Sequence, residues 1–170
     1  MQRFFLMVDK LAENRTIQGI FETMWQFPDN FISEFIDIKN RIHKITYKTY
    51  REQIYSAAAS LSSVLPKEKR GYFVGIQLKN CHEWGVIFWA VLMAGFKPVL
   101  IDCKASGERT EYLLGQAGAA AVISDNAVPG SFPVIASNQI VMDSKPVSFQ
   151  PVWENQIAFC TSGTTDTPQL

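Results

Sequence analysis

An excess of charge of either sign is missing from this sequence: 16 Lys+Arg balance 16 Asp+Glu, for a formal net charge of zero. A chain so balanced has no overall field to draw it to nucleic acid or an anionic membrane surface. Charged residues are also few, 19% against 47% apolar, which excludes a disordered chain and favours a real core. Cysteine is scarce. Cys81, Cys103 and Cys160 are far apart and form no C-x-x-C pair, so they read as free thiols in a reducing cytoplasm, not a disulfide framework. The two histidines, His43 and His82, have no metal-binding spacing around them, which argues against zinc. Long hydrophobic runs are lacking too. The longest, residues 86–96, contains Gly95 and falls short of the roughly 20 residues that span a bilayer. It reads as a buried helix, and no membrane span is expected. The apolar patch Phe4 to Val8 meets Asp9 and Lys10 at once, unlike a secretory leader. There is no Walker pattern, no G-x-G-x-x-G and no G-x-S-x-G, so the usual fingerprints of P-loop, dinucleotide and serine-hydrolase sites are excluded.

What is present is an alternation of strands and helices. Ile17, Ile20, Phe21 and Met24 have helical spacing before Pro28. Phe35 to Lys39 and Ile42 to Ile45 flank Asn40-Arg41 as a hairpin. Thr46 is placed as an N-cap for a helix with Tyr47, Tyr50, Ile54, Leu61 and Leu65 on one face, ended by Pro66. Strands follow at 72–78, 98–101, 120–124 and 156–160, with helices at 83–94 and 108–116 stopped by Gly95 and Gly118. Val134-Ile135 and Ile140-Val141 read as two further short strands. The order predicts one domain over residues 1–170 of the α/β class, a mostly parallel sheet flanked by helices. Ligands of such sheets sit beyond the carboxyl ends of the strands.

The chemistry is concentrated where the last strand ends. The apolar run Ile157 to Cys160 opens into Thr161-Ser162-Gly163-Thr164-Thr165. Gly163 lets backbone approach a ligand without a Cβ in the way. Free amides at such a turn point at an anion, and four hydroxyls each offer one more donor. Cys160 with His82 or His43 could be drawn as a thiol–base pair, but a strand cysteine more simply packs as a hydrophobe. Lys79, Lys97 and Lys104, near strand ends, read as solvated lysines, and Trp84, Phe88 and Trp89 as core.

The hydroxyl turn, continued to Pro168, resembles the phosphate-binding signature T-S-G-T-T-G-x-P-K of the adenylate-forming (AMP-binding) enzymes, which include acyl-CoA synthetases, luciferases and peptide-synthetase adenylation domains. Ile45-Thr46-Tyr47, Gly75 to Leu78 with Asn80, Glu83 and Trp84, Ala90 to Gly95, Pro98 to Asp102 and Ala119 to Ile123 resemble the segments that precede it, in the same order. The resemblance is strongest over residues 30–169. It implies an incomplete N-terminal subdomain of such an enzyme, an AMP-forming acid–thiol ligase ending at the phosphate motif. It implies ATP and Mg²⁺ as cofactors, with Thr161, Ser162, Gly163, Thr164, Thr165 and Gln169 as the binding residues. It also implies a carboxylic acid and a coenzyme A or carrier-protein thiol as partners. The catalytic lysine and the adenine and acyl contacts belong to parts of the family fold beyond this motif, so no catalytic residue is assigned and the chain is expected to be inactive alone. A protein partner that completes the fold is one expectation. A truncated, non-catalytic remnant or small binding module is the alternative. Two positions depart from the signature: Asp166 stands for Gly, and Gln169 for Lys. Both are expected to weaken ATP binding.

Overall fold

A computed structural model describes residues 12–160 apart from 38, 144 and 146. Thr16 caps helix α1 (Ile17–Thr23), its hydroxyl accepting from the Gly19 amide at 3.0 Å. A hairpin follows, β1 (Phe31–Ile36) and β2 (Ile42–Thr46), paired antiparallel. Its first strand starts earlier than residue 35 and ends before 37. Asp37 is the reason: its carboxylate accepts the amides of Lys39 at 2.8 Å and Arg41 at 2.9 Å, committing the backbone to a turn. The hydrogen bond from His43, and then those from Arg41, hold that carboxyl well below the usual carboxylate range. Thr46 caps α2 (Tyr47–Val64) as its sequence position predicts, accepting from the Thr49 amide at 3.2 Å.

The hairpin docks through Phe35, which stacks on His43 and on His82 at centroid distances of 5.1 and 5.5 Å. His82 Nε2 lies 2.9 Å from Gln53 Oε1, and its Nδ1 is buried with no hydrogen-bond partner among the described residues. A proton added there would be uncompensated. Burial accordingly pushes the His82 imidazole below its ordinary value, with Glu83 opposing. The unfolded chain then holds that proton more readily than the folded one. The His82 contribution to stability is complete above pH about 6.5 and declines as pH falls through and below it. Thermal melts at pH about 7.5 and 5.5 should show a lower Tm at the acidic value. His82→Gln, which keeps a donor toward Gln53, should flatten that difference; an undiminished slope in the variant would assign it to other groups.

The larger sheet holds five parallel strands in the order β6 (Val134–Ile135), β5 (Ala119–Ser124), β3 (Phe73–Gln77), β4 (Lys97–Leu100), β7 (Ala158–Phe159). Between them run α3 (His82–Met93) and α4 (Gly107–Ala117). Strand periodicity sorts the side chains. Val74, Ile76, Ala121 and Ile123 pack with α2 and α3, whereas Val99, Ile101 and Val122 pack with Leu113 and Leu114 of α4. Gly75 faces α4, and a Cβ there would stand 2.6 Å from Leu114 Cδ2, so its bareness sets how closely that helix approaches the sheet. The expected strand at Ile140-Val141 does not form. Serines of α2 take those backbone groups instead: Ser60 Oγ accepts from the Val141 amide, and Ser56 Oγ donates to the Val141 carbonyl, both at 3.2 Å.

Candidate functional site

The segment that reaches the site is anchored twice before it arrives. The amides of Val152 and Glu154 donate to the carbonyls of Met93 and Leu92 at 2.8 and 3.0 Å. Gly95 makes room for this crossing: at φ +86° it ends α3, and a Cβ there would stand 3.0 Å from the Val152 carbonyl oxygen. Trp153 packs on Phe21 at 4.9 Å between centroids. The chain then pairs with β4, Val99 beside Ala158 and Leu100 beside Phe159. Cys160 emerges at the carboxyl end of the sheet.

A buried amide organises that end. Gln77 is only 1% exposed. Its Nε2 donates to the Ala105 carbonyl at 2.9 Å, and its Oε1 accepts from Ser124 Oγ at 3.2 Å. The ends of β3 and β5 and the loop after β4 are thereby tied together. Asp102 Oδ1 accepts the Lys104 amide at 2.8 Å, Asn126 Nδ2 donates to the Cys103 carbonyl at 3.3 Å, and Ser106 caps α4 by accepting the Arg109 amide at 3.2 Å.

The loop so fixed borders a cavity of about 390 Å³, lined by Asp102, Lys104, Ser106, Arg109, Leu113 and Cys160, among others. Among the described residues neither Lys104 nor Arg109 forms an ion pair. Burial raises the Cys160 thiol above its ordinary value while the Arg109 charge opposes the rise. The thiol therefore stays protonated and packs against the α4 cluster, as a structural cysteine does. Two cavities of similar or greater size, about 430 and 600 Å³, share Arg51 and Tyr55 and include no residue of this strand-end loop. Among the described residues no group of three His, Cys, Asp or Glu could hold a metal ion, and no helix is long and apolar enough to cross a membrane.

The binding residues expected from sequence, Thr161 to Thr165 and Gln169, lie outside the described residues. The structure places the residue before them, Cys160, at this cavity. Lys104, read as merely solvated, lines the same wall, while Lys97 sits 5.6 Å over the Phe73 ring. Arg109, Gln77 and Ser124 were not picked out from sequence. Gln77 and Ser124 do carry a signal, a polar residue closing an otherwise apolar strand. Arg109 carries only a weak one, a cation in a first helical turn.

Known proteins bear on this geometry. The family model described as AMP-binding enzyme matches residues 22–168. Nonribosomal peptide synthetase 2 of Cochliobolus heterostrophus is 25% identical over 175 residues, covering 96% of this chain and 3% of that protein. The N-terminal subdomain of Klebsiella oxytoca NpsA superposes with a TM-score of 0.70 at 26% identity, covering 90% of this chain and 40% of that one. The Bacillus subtilis O-succinylbenzoate coenzyme A synthetase MenE, solved in complex with AMP, has the same fold, with a TM-score of 0.67 at 20% identity and 40% of its chain covered. The chain thus spans less than half of each of these relatives.

Proposed function

Because this chain belongs to the AMP-binding enzyme family, we propose that it is the N-terminal portion of an ATP-dependent carboxylate-activating ligase that forms acyl-adenylates, as acyl-CoA synthetases do. The observation that carries this is the placement of β7: a parallel strand of the larger sheet delivers Cys160 to the carboxyl end immediately before Thr161. The mouth there fits an anionic ligand in sign, since Lys104 and Arg109, which form no ion pair among the described residues, line it against one acid, Asp102. Thr161, Ser162, Gly163, Thr164, Thr165 and Gln169 would bind and orient the phosphates of ATP by backbone amides and hydroxyls. Mg²⁺ would arrive with those phosphates, as it commonly does where few carboxylates are on offer. The wider reaction would join a carboxylic acid to coenzyme A or to a carrier-protein thiol, and either the remainder of a longer protein or a separate partner would supply the missing walls.

Positioning catalysis requires substrate, metal and catalytic groups held together. The 170-residue chain alone is therefore expected to bind ATP saturably but weakly. It should give no ATP–pyrophosphate exchange above background with a panel of carboxylic acids. Exchange by the chain alone would refute the assignment of an incomplete site; no ATP or pyrophosphate binding at millimolar concentration would refute the phosphate cradle. A second reading, a non-catalytic binding module, is favoured by Asp166 and Gln169, which replace the signature's Gly and Lys.

A further inference from the structure

We propose that the cavity where the hairpin meets the start of α3 binds a small uncharged aromatic carboxamide, with the Tyr50 hydroxyl donating to its carbonyl oxygen. The cavity measures about 260 Å³ and takes residues from β1, α2 and the turn into α3. It shares no residue with the cavity beside Cys160, so the inference is independent of the ligase reading.

Tyr50 is the observation that points to a ligand. It is 8% exposed, hence more than nine-tenths buried. A tyrosine so enclosed ordinarily finds a hydrogen-bond partner, yet its hydroxyl forms no hydrogen bond among the described residues. Nor is that oxygen sealed inside protein: the unpaired polar atoms closed off from solvent belong to Trp25, Gln26, Ser62 and His82. Gly85 lines the cavity beside it, and a Cβ there would collide with the Tyr50 oxygen. Glycine is a poor helix former; here it leaves the hydroxyl room at the cavity wall. Phenylalanine would fill the same site with no polar group to satisfy. Burial pushes the Tyr50 hydroxyl up to about 12, which keeps it a donor.

The rest of the lining sets the ligand's chemistry. Among the described residues no Lys, Arg, Asp or Glu lines the cavity, so nothing there offsets the desolvation of a charged ligand. The adjacent acid, Glu83, hydrogen-bonds the Cys81 thiol and would repel an anion. The Asn80 side chain forms no hydrogen bond among the described residues, and its Oδ1 is an acceptor for a ligand N–H. Ile32 and Trp84 add apolar surface. A carbonyl, an N–H and a flat apolar body together describe an aromatic carboxamide. The volume lies just below the roughly 300 Å³ at which pockets for drug-sized molecules begin, which limits the ligand to a single ring.

The experiment is a saturation-transfer NMR titration of the full 170-residue chain with benzamide, and with benzoate as the charged counterpart. Benzamide is expected to bind saturably and benzoate more weakly. Tyr50→Phe should weaken benzamide about 5-fold, the effect of one lost neutral hydrogen bond. It should not lower Tm, because the hydroxyl has no partner in the protein to lose. Tyr55→Phe, at the cavities that Tyr50 does not line, should leave binding unchanged. Absence of saturable benzamide binding would mean that the cavity holds water only and overturns the inference. So does benzamide binding by Tyr50→Phe equal to that of the unaltered chain, an equal loss in Tyr55→Phe, or benzoate binding as tight as benzamide. A lower Tm in Tyr50→Phe would give the hydroxyl a structural role and would also overturn it. The ligase reading stands under each of these outcomes.

Discussion

Asp166→Gly combined with Gln169→Lys is expected to tighten ATP binding at least about 10-fold. Two effects add. A hydrogen bond from a charged donor contributes ~1.5–3 kcal/mol net and a neutral one about 1, so lysine gains over glutamine. Removing the Asp166 carboxylate removes a repulsion from phosphate of ~1 kcal/mol in water and ~4 at an effective dielectric near 20, for charges about 4 Å apart. The sum is ~1.5–6 kcal/mol, and its lower end corresponds to about 10-fold. Calorimetric titration of each single variant separates the terms: Asp166→Gly should gain more as salt is lowered, since the repulsion is screened. Unchanged affinity in the double variant would mean that neither departure touches the phosphates.

Phe21→Ala is expected to cost about 3–5 kcal/mol of folding free energy, the range for emptying a fully buried aromatic site. Phe21 is 1% exposed and sits at the centre of a ring cluster. Its centroid lies 4.8 Å from Trp25, 4.9 Å from Trp153 and 5.3 Å from Trp89. Three large rings cannot close over the cavity without shifting the elements that carry them. The loss also reaches the site, because Trp153 belongs to the segment that delivers β7. Denaturant unfolding gives the stability change directly. A companion variant on the same helix, Ile20→Ala, removes a side chain that is 43% exposed and should cost less than 1 kcal/mol, on the order expected at the surface. A Phe21→Ala cost no larger than that of Ile20→Ala would show that the ring cluster is not the anchor of α1.

The order of residues determined by itself nearly every element of this chain. Thr46 before a helical apolar stripe set the start of α2, and Gly95 and Gly118, at φ +86° and +61°, set the ends of α3 and α4. These are local effects, fixed by neighbours within one turn, and so visible in a sequence. The family signature at Thr161 to Thr165 was legible in the same way. Where local signals competed with distant ones, sequence reading failed: the apolar pair Ile140-Val141 looks like a strand, but serines of α2 claim its backbone. Only the tertiary structure decided that Gln77 ties three strand-end segments together, and that Arg109, Lys104 and Cys160 share one wall. Those groups are far apart in the chain. Parallel crossovers and strand register bring them together, and no periodicity within a single element records that meeting.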